Sequence, residues 1–447
     1  MKKMRKVLAI GLCAALTAAV LGGCGSGTAA ADSNTAAETG TEGKAADAAA
    51  DTTADTVPKA DADGIVTIEF FNQKTEIVSI LQSLIAEYEA ANPGIKIEIV
   101  TPSDSATVLA SRMASNDTPD VFTNWPNSSF FTMVDSGYVM DLSGTGIMDN
   151  VQTAAREQWK YNGGEYAATI SYNCSGIWYN EALFEEAGIT ELPQTFDELV
   201  SACEKLTAAG ITPFVTSAKQ TDITDRQLQV FLASSMGDAY EAFAADAGAG
   251  ELDAAKAYAG DLEKMAEKMV KVLEYSQSDT LGTDQDSATA NFANGQGAMM
   301  IGGSWLLASI KAANPDIAIA MMPIPGDTAE ETNTCAYPGD MSLCIAADSD
   351  VSEEAIAFVQ WMTSVETATK YAQAEGNPSC INGVDYVAEE FSGLYEDYVT
   401  AGKFILNPDC NWTAAQQDAS GAAVQQLYYD MDPAAFAENL QEAFNEN

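Results

Sequence analysis

From residue 65 onward, short β-rich runs take turns with stretches of helical periodicity. Residues 65–71, Ile-Val-Thr-Ile-Glu-Phe-Phe, read as a strand. Ile77, Ile80, Leu81, Leu84, Ile85 and Tyr88 then recur at helical spacing until Asn92-Pro93-Gly94 stops them. Ile95, Ile97 and Ile99 alternate with Lys96 and Glu98, which gives a second strand. A short helix over 107–114 and a turn at Asp117-Thr118-Pro119 lead to a third strand, 120–123. It runs into Asn124-Trp125-Pro126, and a helix over 129–135 follows. This β-α-β-α-β-α order predicts a mostly parallel sheet with right-handed crossovers.

Residues 166–179 are rich in strand formers, and a helix starts near Glu181. Thr195 is placed to cap a helix whose inner face is Phe196, Leu199, Val200, Cys203 and Leu206. Residues 211–215 read as a strand, and 222–236 and 254–273 as helices. Residues 298–301, Ala-Met-Met-Ile, are short enough for a buried strand. Gly302-Gly303 then lets the backbone turn or approach another group closely, and Ser304 is placed to cap the next helix. Trp305 thus falls at the carboxyl end of a strand, where ligands bind in open α/β sheets. Strands are expected over 317–323 and 341–346, with Tyr337-Pro338-Gly339-Asp340 as a turn between them. Residues 353–363 form an amphipathic helix, and the rest is helical around a loop at 407–412.

The amino terminus adds something the periodicity does not. Lys2, Lys3, Arg5 and Lys6 precede an apolar run over 7–21 that ends in Leu-Gly-Gly-Cys24. A basic head, a short apolar body and small residues make a secretory signal, too short to span a membrane comfortably. Leu-Gly-Gly-Cys resembles the lipobox of bacterial lipoproteins, which implies cleavage before Cys24 and a lipid on its thiol. Residues 25–64 lack any aromatic and consist almost entirely of small and acidic residues, the composition of a flexible tether.

The chain has 447 residues, enough for two domains, and a formal charge of −44; losing the four leader cations takes it to −48. Such acidity repels phosphate backbones, so nucleic acid is excluded as a partner. There is no histidine, which removes His-based triads, general bases and metal sites together. No C-x-x-C pair occurs, and the acids over 279–286 lack the full alternation of a calcium loop, so no metal or cofactor is expected. Spacing leaves open whether Cys174, Cys203, Cys335, Cys344, Cys380 and Cys410 are bridged or free.

Two strand ends in the first third carry chemistry. One offers Asn72, Lys74 and Glu76; the other offers Asn124 and Trp125. In a parallel sheet these ends share a rim, so the groups converge.

Several landmarks coincide: the lipobox, the tether, Phe-Phe-Asn-Gln-Lys74, Asn-Pro-Gly-Ile95, Pro119-Asp120-Val121, Gly176-Ile-Trp-Tyr-Asn180 and Gly297-Ala-Met-Met-Ile-Gly-Gly-Ser-Trp305. Together they resemble the extracellular solute-binding proteins of bacterial carbohydrate ABC importers, of the maltose-binding-protein-like kind. The opening motif looks most like the oligosaccharide binders of Gram-positive bacteria. The resemblance implies an α/β fold of two lobes with mostly parallel sheets, a ligand cleft between them and about three crossings. These fall near 170–175, 301–304 and 337–341. Lobe one is then 65–172 plus 303–337, and lobe two 173–302 plus 338–447. It further implies a monomer, lipid-anchored at the extracellular face of the membrane, that passes a carbohydrate to permease subunits. Trp125, Trp305 and Trp412 would supply apolar plates for a sugar, and Tyr172 would line the cleft near the first crossing. Asn72, Lys74, Glu76, Asn124 and Asp340 would meet hydroxyls, and Asp222 and Asp225 are candidate acidic partners.

A binding module without chemistry of its own is therefore the leading expectation. A secreted glycosidase working through two carboxylates is the alternative, although no acid pair stands out. The same fold holding a polyamine or a peptide is a third reading, which the net charge keeps open.

Overall fold

The computed structural model describes residues 64–447 except Ala257. The leader, Cys24 and the tether up to residue 63 lie outside the described residues, as does the Cys410 side chain. No described helix is long and apolar enough to cross a membrane.

Among the described residues ten strands are formed: β1 Val66–Phe71, β2 Ile95–Val100, β3 Val121–Asn124, β4 Lys160–Tyr161, β5 Gly164–Glu165, β6 Ala168–Asn180, β7 Met299–Gly303, β8 Ile319–Met322, β9 Thr334–Ile345 and β10 Phe404–Leu406. All but the β4–β5 hairpin join one sheet ordered β2-β1-β3-β9-β6-β7, with β8 on β6 and β10 on β9. The opening β-α-β-α-β pairs in parallel, β1 lying between β2 and β3. The long strands β6 and β9 run antiparallel to one another and carry the sheet from one end of the molecule to the other. Their pairing shifts between Ser171 opposite Asp340 and Asn173 opposite Tyr337, so β9 holds one extra residue. The expected turn at 337–340 is this bulge inside a continuous strand. A proline, lacking an N–H, is tolerated where the ladder is already interrupted. Just beyond, Met341 has φ 43°, a left-handed backbone that a non-glycine residue rarely takes.

Two large apolar cores lie at the two ends. One gathers Ile68, Phe70, Leu81, Ile97 and Ile170 with Met341, Leu343, Phe358, Tyr371 and Ile381. The other gathers Ile177, Leu199, Phe231, Met265 and Met299 with Met322, Trp412, Val424 and Phe444. The sequence expectation put 303–337 with the first lobe and 338–447 with the second. The cores group these segments otherwise: Met341–Ile381 close the first, while Leu306, Leu307, Ile310, Ile319 and Met321 pack beside Trp178 and Phe292. The chain passes between the cores within β6, within β9 and between Ile381 and Ala388. The expected crossing at 301–304 is absent, because β7 pairs with the far half of β6 from Ser175 to Tyr179 and stays beside the second core.

Local signals hold in several places. Thr195 accepts from Glu198 N at 3.3 Å and Asn180 from Leu183 N at 3.2 Å, each capping its helix. Residues 211–215 make only isolated bridges at Phe214, since Pro213 offers no N–H to extend a ladder. Ser304 does not cap. Its hydroxyl donates to Asn173 Oδ1 at 3.0 Å and accepts from Cys174 N at 3.2 Å, tying the β7 end to β6. Asp284 caps the helix Gln285–Ala293, and no metal-holding cluster occurs among the described residues. Cys174, Cys203 and Cys344 are free and buried, and Cys335 and Cys380 are buried as well. Burial pushes the Cys203 thiol up to about 12.

Candidate functional site: a cleft beside the strand crossings

A cleft of about 370 Å³ opens where β6 and β9 cross. One wall comes from the loops after β1 and β3, Gln73–Glu76 and Trp125–Asn127. The other comes from helix Thr221–Ala233 through Asp222 and Arg226, from Asp286 and Thr289, and from Trp305. Asn173, Tyr337, Gly339 and Asp340 lie at the crossing between them.

The parallel strand ends bring the first wall together as elementary sheet geometry requires. Asn72 is fully buried and does not reach the cleft. It accepts from Lys74 N at 3.2 Å and donates to Thr101 Oγ1 at 3.3 Å, holding the turn that presents Lys74. Gln73 N donates to Thr123 Oγ1 at 2.8 Å and locks the same loop to β3. Asn124 likewise supports its neighbour, accepting from Trp125 N at 2.9 Å.

The floor is a buried ionic cluster. The Lys74 ammonium donates to Asp340 and lies 3.4 Å from Glu375 and 3.6 Å from Glu76. Asp340 also accepts from Asn173 Nδ2 and, at 3.0 Å, from Trp125 Nε1. A carboxylate has about four acceptor sites, so three donors leave Asp340 one for a ligand hydroxyl. Glu375 is 2 % exposed and accepts from Ser171 and, at 2.9 Å, from Tyr371 OH. Burial alone would pull the Lys74 ammonium down. The carboxylates of Asp340, Glu375 and Glu76 outweigh it and hold the charge firmly. Burial pushes the Glu375 carboxyl above the ordinary range, with Lys74 pulling back and Asp340 pushing further.

On the second wall, the Trp305 indole is half-buried, lies edge-on to Tyr337 at 5.6 Å, and carries the Arg226 guanidinium over its ring at 5.5 Å. Tyr337 OH donates to Gln229 at 3.1 Å, and Gln229 donates to Asp225 at 2.7 Å.

Of the residues proposed from sequence, Lys74, Glu76, Trp125, Asp222, Trp305 and Asp340 line the cleft. Asn72 and Asn124 support it from behind. Asp225 is buried two hydrogen bonds away, because helical rotation turns it inward and brings Asp222 and Arg226 to the cleft. Tyr172 packs edge-on to Tyr395 at 6.2 Å, outside the lining. Trp412 is fully buried against Phe243 and Phe444, so it is a core residue. Sequence reasoning missed Asn173, Arg226, Tyr337 and Glu375. Asn173 carries a signal, being a polar residue inside a long β-rich run. Arg226 carries another, as one of only four arginines in a strongly acidic chain.

Comparison with known proteins agrees with this architecture. The model of the bacterial extracellular solute-binding protein family matches residues 72–369. A multiple sugar-binding protein of Streptococcus mutans is 30% identical over 71% of this chain and 76% of its own length. The structure of RafE in complex with raffinose superposes with a TM-score of 0.78 at 26% identity, covering 85% of this chain and 99% of that one. The apo form of RafE from Streptococcus pneumoniae gives 0.69 at 25% identity, over 86% and 98%. The mixed α/β architecture with its two cores is thus that of two-lobed binding proteins, and this chain belongs to the bacterial extracellular solute-binding protein family.

Proposed function

We propose that the chain captures an oligosaccharide in this cleft and delivers it to the permease of an ABC importer, performing no chemistry itself. The observation that carries the reading is the convergence of two tryptophans with a carboxylate–ammonium–amide cluster in one groove between two cores. A sugar ring offers apolar C–H faces and a belt of hydroxyls. Trp125 and Trp305 suit the faces, and Asp340, Lys74, Glu76 and Asn173 suit the hydroxyls. The cluster is pre-organised: Trp125 is aimed by Asp340, and Lys74 is held on three sides. The raffinose complex of RafE and the sugar-binding relative support the ligand class. Bending of β6, β9 and the 381–388 segment would close the lobes on the ligand. A lipid on Cys24 and the tether would hold the protein, a monomer, outside the membrane.

The test is a fluorescence titration of the full-length protein with raffinose, stachyose, maltotriose, and xylo- and chito-oligosaccharides. A saturable change with one sugar, lost in Trp305→Ala, is the expected result. Response only to polyamines or peptides would remove the carbohydrate reading, and hydrolysis of the bound sugar would turn the protein into a glycosidase.

A further inference from the structure

The two sides of the cleft are joined through the strand crossings and also directly. The Ser128 hydroxyl, on the helix Ser128–Asp135, donates to the carbonyl of Trp412 at 3.1 Å. Each partner is fixed to its own side. Asn127 caps the Ser128 helix, accepting from Phe130 N at 2.9 Å, and Phe130 is fully buried edge-on to Trp159 at 4.9 Å. On the other side, the segment 404–412 starts as β10, paired with β9, and Tyr240 OH donates to Leu406 O at 2.7 Å. It ends with the Trp412 ring 4.6 Å from that of Phe444 in the second core. Asn411 lies against the helix Tyr240–Ala249, where a Cβ on Gly248 would meet its carbonyl oxygen at 2.8 Å. Thr413 then opens the next helix with a capping box on Gln416. The Trp412 carbonyl is therefore held rigidly by one lobe and Ser128 by the other. Neither residue lines the cleft, although Asn127 does.

We propose that Ser128 is a closure residue: without touching the sugar, it sets how long a captured sugar is held. Bending at β6, β9 and the 381–388 segment moves the two lobes as bodies, and neither Ser128 nor Trp412 belongs to a crossing. Opening therefore pulls the hydroxyl and the carbonyl apart, and the bond is lost once they separate beyond about 3.5 Å. A contact made in one state and missing in the other shifts the balance between them by its own free energy. A sugar enters while the walls are apart, before the bond exists, so the rate of entry does not depend on it. Release requires the bond to break first, so the rate of release does. The acceptor is a main-chain oxygen, which makes the Ser128 hydroxyl the one side-chain group the clasp needs. This inference rests on the carbohydrate reading of the cleft.

The experiment is stopped-flow tryptophan fluorescence on the full-length wild type, Ser128→Ala and Ser128→Thr, with the sugar that binds the wild type most tightly. Asn127 and not Ser128 is the cap, and alanine is a good helix former, so Ser128→Ala keeps the helix and loses the clasp. Its koff is expected to rise by about 2- to 10-fold, the worth of one neutral hydrogen bond, with kon unchanged. Ser128→Thr keeps the hydroxyl and should release the sugar at close to the wild-type rate. An unchanged koff in Ser128→Ala overturns the clasp. So does a loss of affinity carried by kon, or equally fast release from both variants. In each of those cases the wild type still binds its sugar, and the carbohydrate reading stands. A wild type that binds no sugar in the panel overturns that reading, and this inference with it.

Discussion

Gly303 and Trp305 touch in a way that only glycine permits. Adding a methyl at Gly303 puts a carbon about 2 Å from the indole, so the ring must swing away from its seat. Gly303→Ala is therefore expected to cost about 1–3 kcal/mol by overpacking and to weaken sugar binding. Urea denaturation and the fluorescence titration check the two parts separately. Glu375 is the second residue with a consequence at this scale. Its folded-state carboxyl is raised by burial, so over a window starting near its unperturbed value the folded protein holds a proton that the unfolded chain has released. Its contribution to stability is greatest at the acid end and declines as pH rises through the raised value. The stability of wild type relative to Glu375→Gln should fall as pH rises from the ordinary carboxylate range through the raised value, read from denaturation curves at each pH. A flat difference would count against the buried, raised carboxyl. Lys74, Glu76, Trp125 and Trp305 were legible in the sequence because strand ends in an α/β sheet are where side chains converge. Glu375 was not legible, since its partner Lys74 lies 301 positions away and helical spacing alone reads it as one more acid on a helix.

At the scale of elements, the helices Thr221–Ala233 and Ala414–Asp430 approach so closely that a Cβ on Gly421 would meet Thr221 O at 2.0 Å. Thr224 Oγ1 donates to Gly421 O at 2.8 Å across the same contact. Gly421→Ala should force the helices apart and cost about 1–3 kcal/mol. Because the first of these helices carries Asp222 and Arg226, sugar affinity should drop as well, which calorimetry would show. The individual helices and most strands were readable from periodicity, as Thr195, Asn180 and the 298–301 run show. Their allocation to lobes was not. Whether Met341–Ile345 pairs toward one core or the other depends on a one-residue bulge in β9. Periodicity carries no trace of it, and Pro338-Gly339 suggests a turn to any local reading.

On the scale of the molecule, the two cores are joined by β6, β9 and the 381–388 segment, and side chains also meet across the groove. Ser128, on the helix after β3, donates to the carbonyl of Trp412 in the second core at 3.1 Å. A ligand gripped by both walls adds to such contacts and stabilises the folded state by mass action. At a sugar concentration 100 times Kd the gain is about 2.7 kcal/mol, seen as a rise in Tm that grows with sugar concentration. No rise with a sugar that binds by fluorescence would mean that the unfolded chain binds it as well as the folded one, so that the signal does not report the cleft.

The interleaving of the two cores along the chain also sets the order in which the protein can be completed. The first core needs Met341–Ile381, and the second needs Trp412–Phe444. A ribosome moving from the amino end has thus made most of the polypeptide before either half can close. Until then, β1 to β3 have no β9 to pair with and remain an unfinished edge. A secretory leader of the kind expected at the amino terminus would pass such a chain outward as an unfolded thread. The late closing of both cores would then keep the chain threadable until synthesis is nearly done.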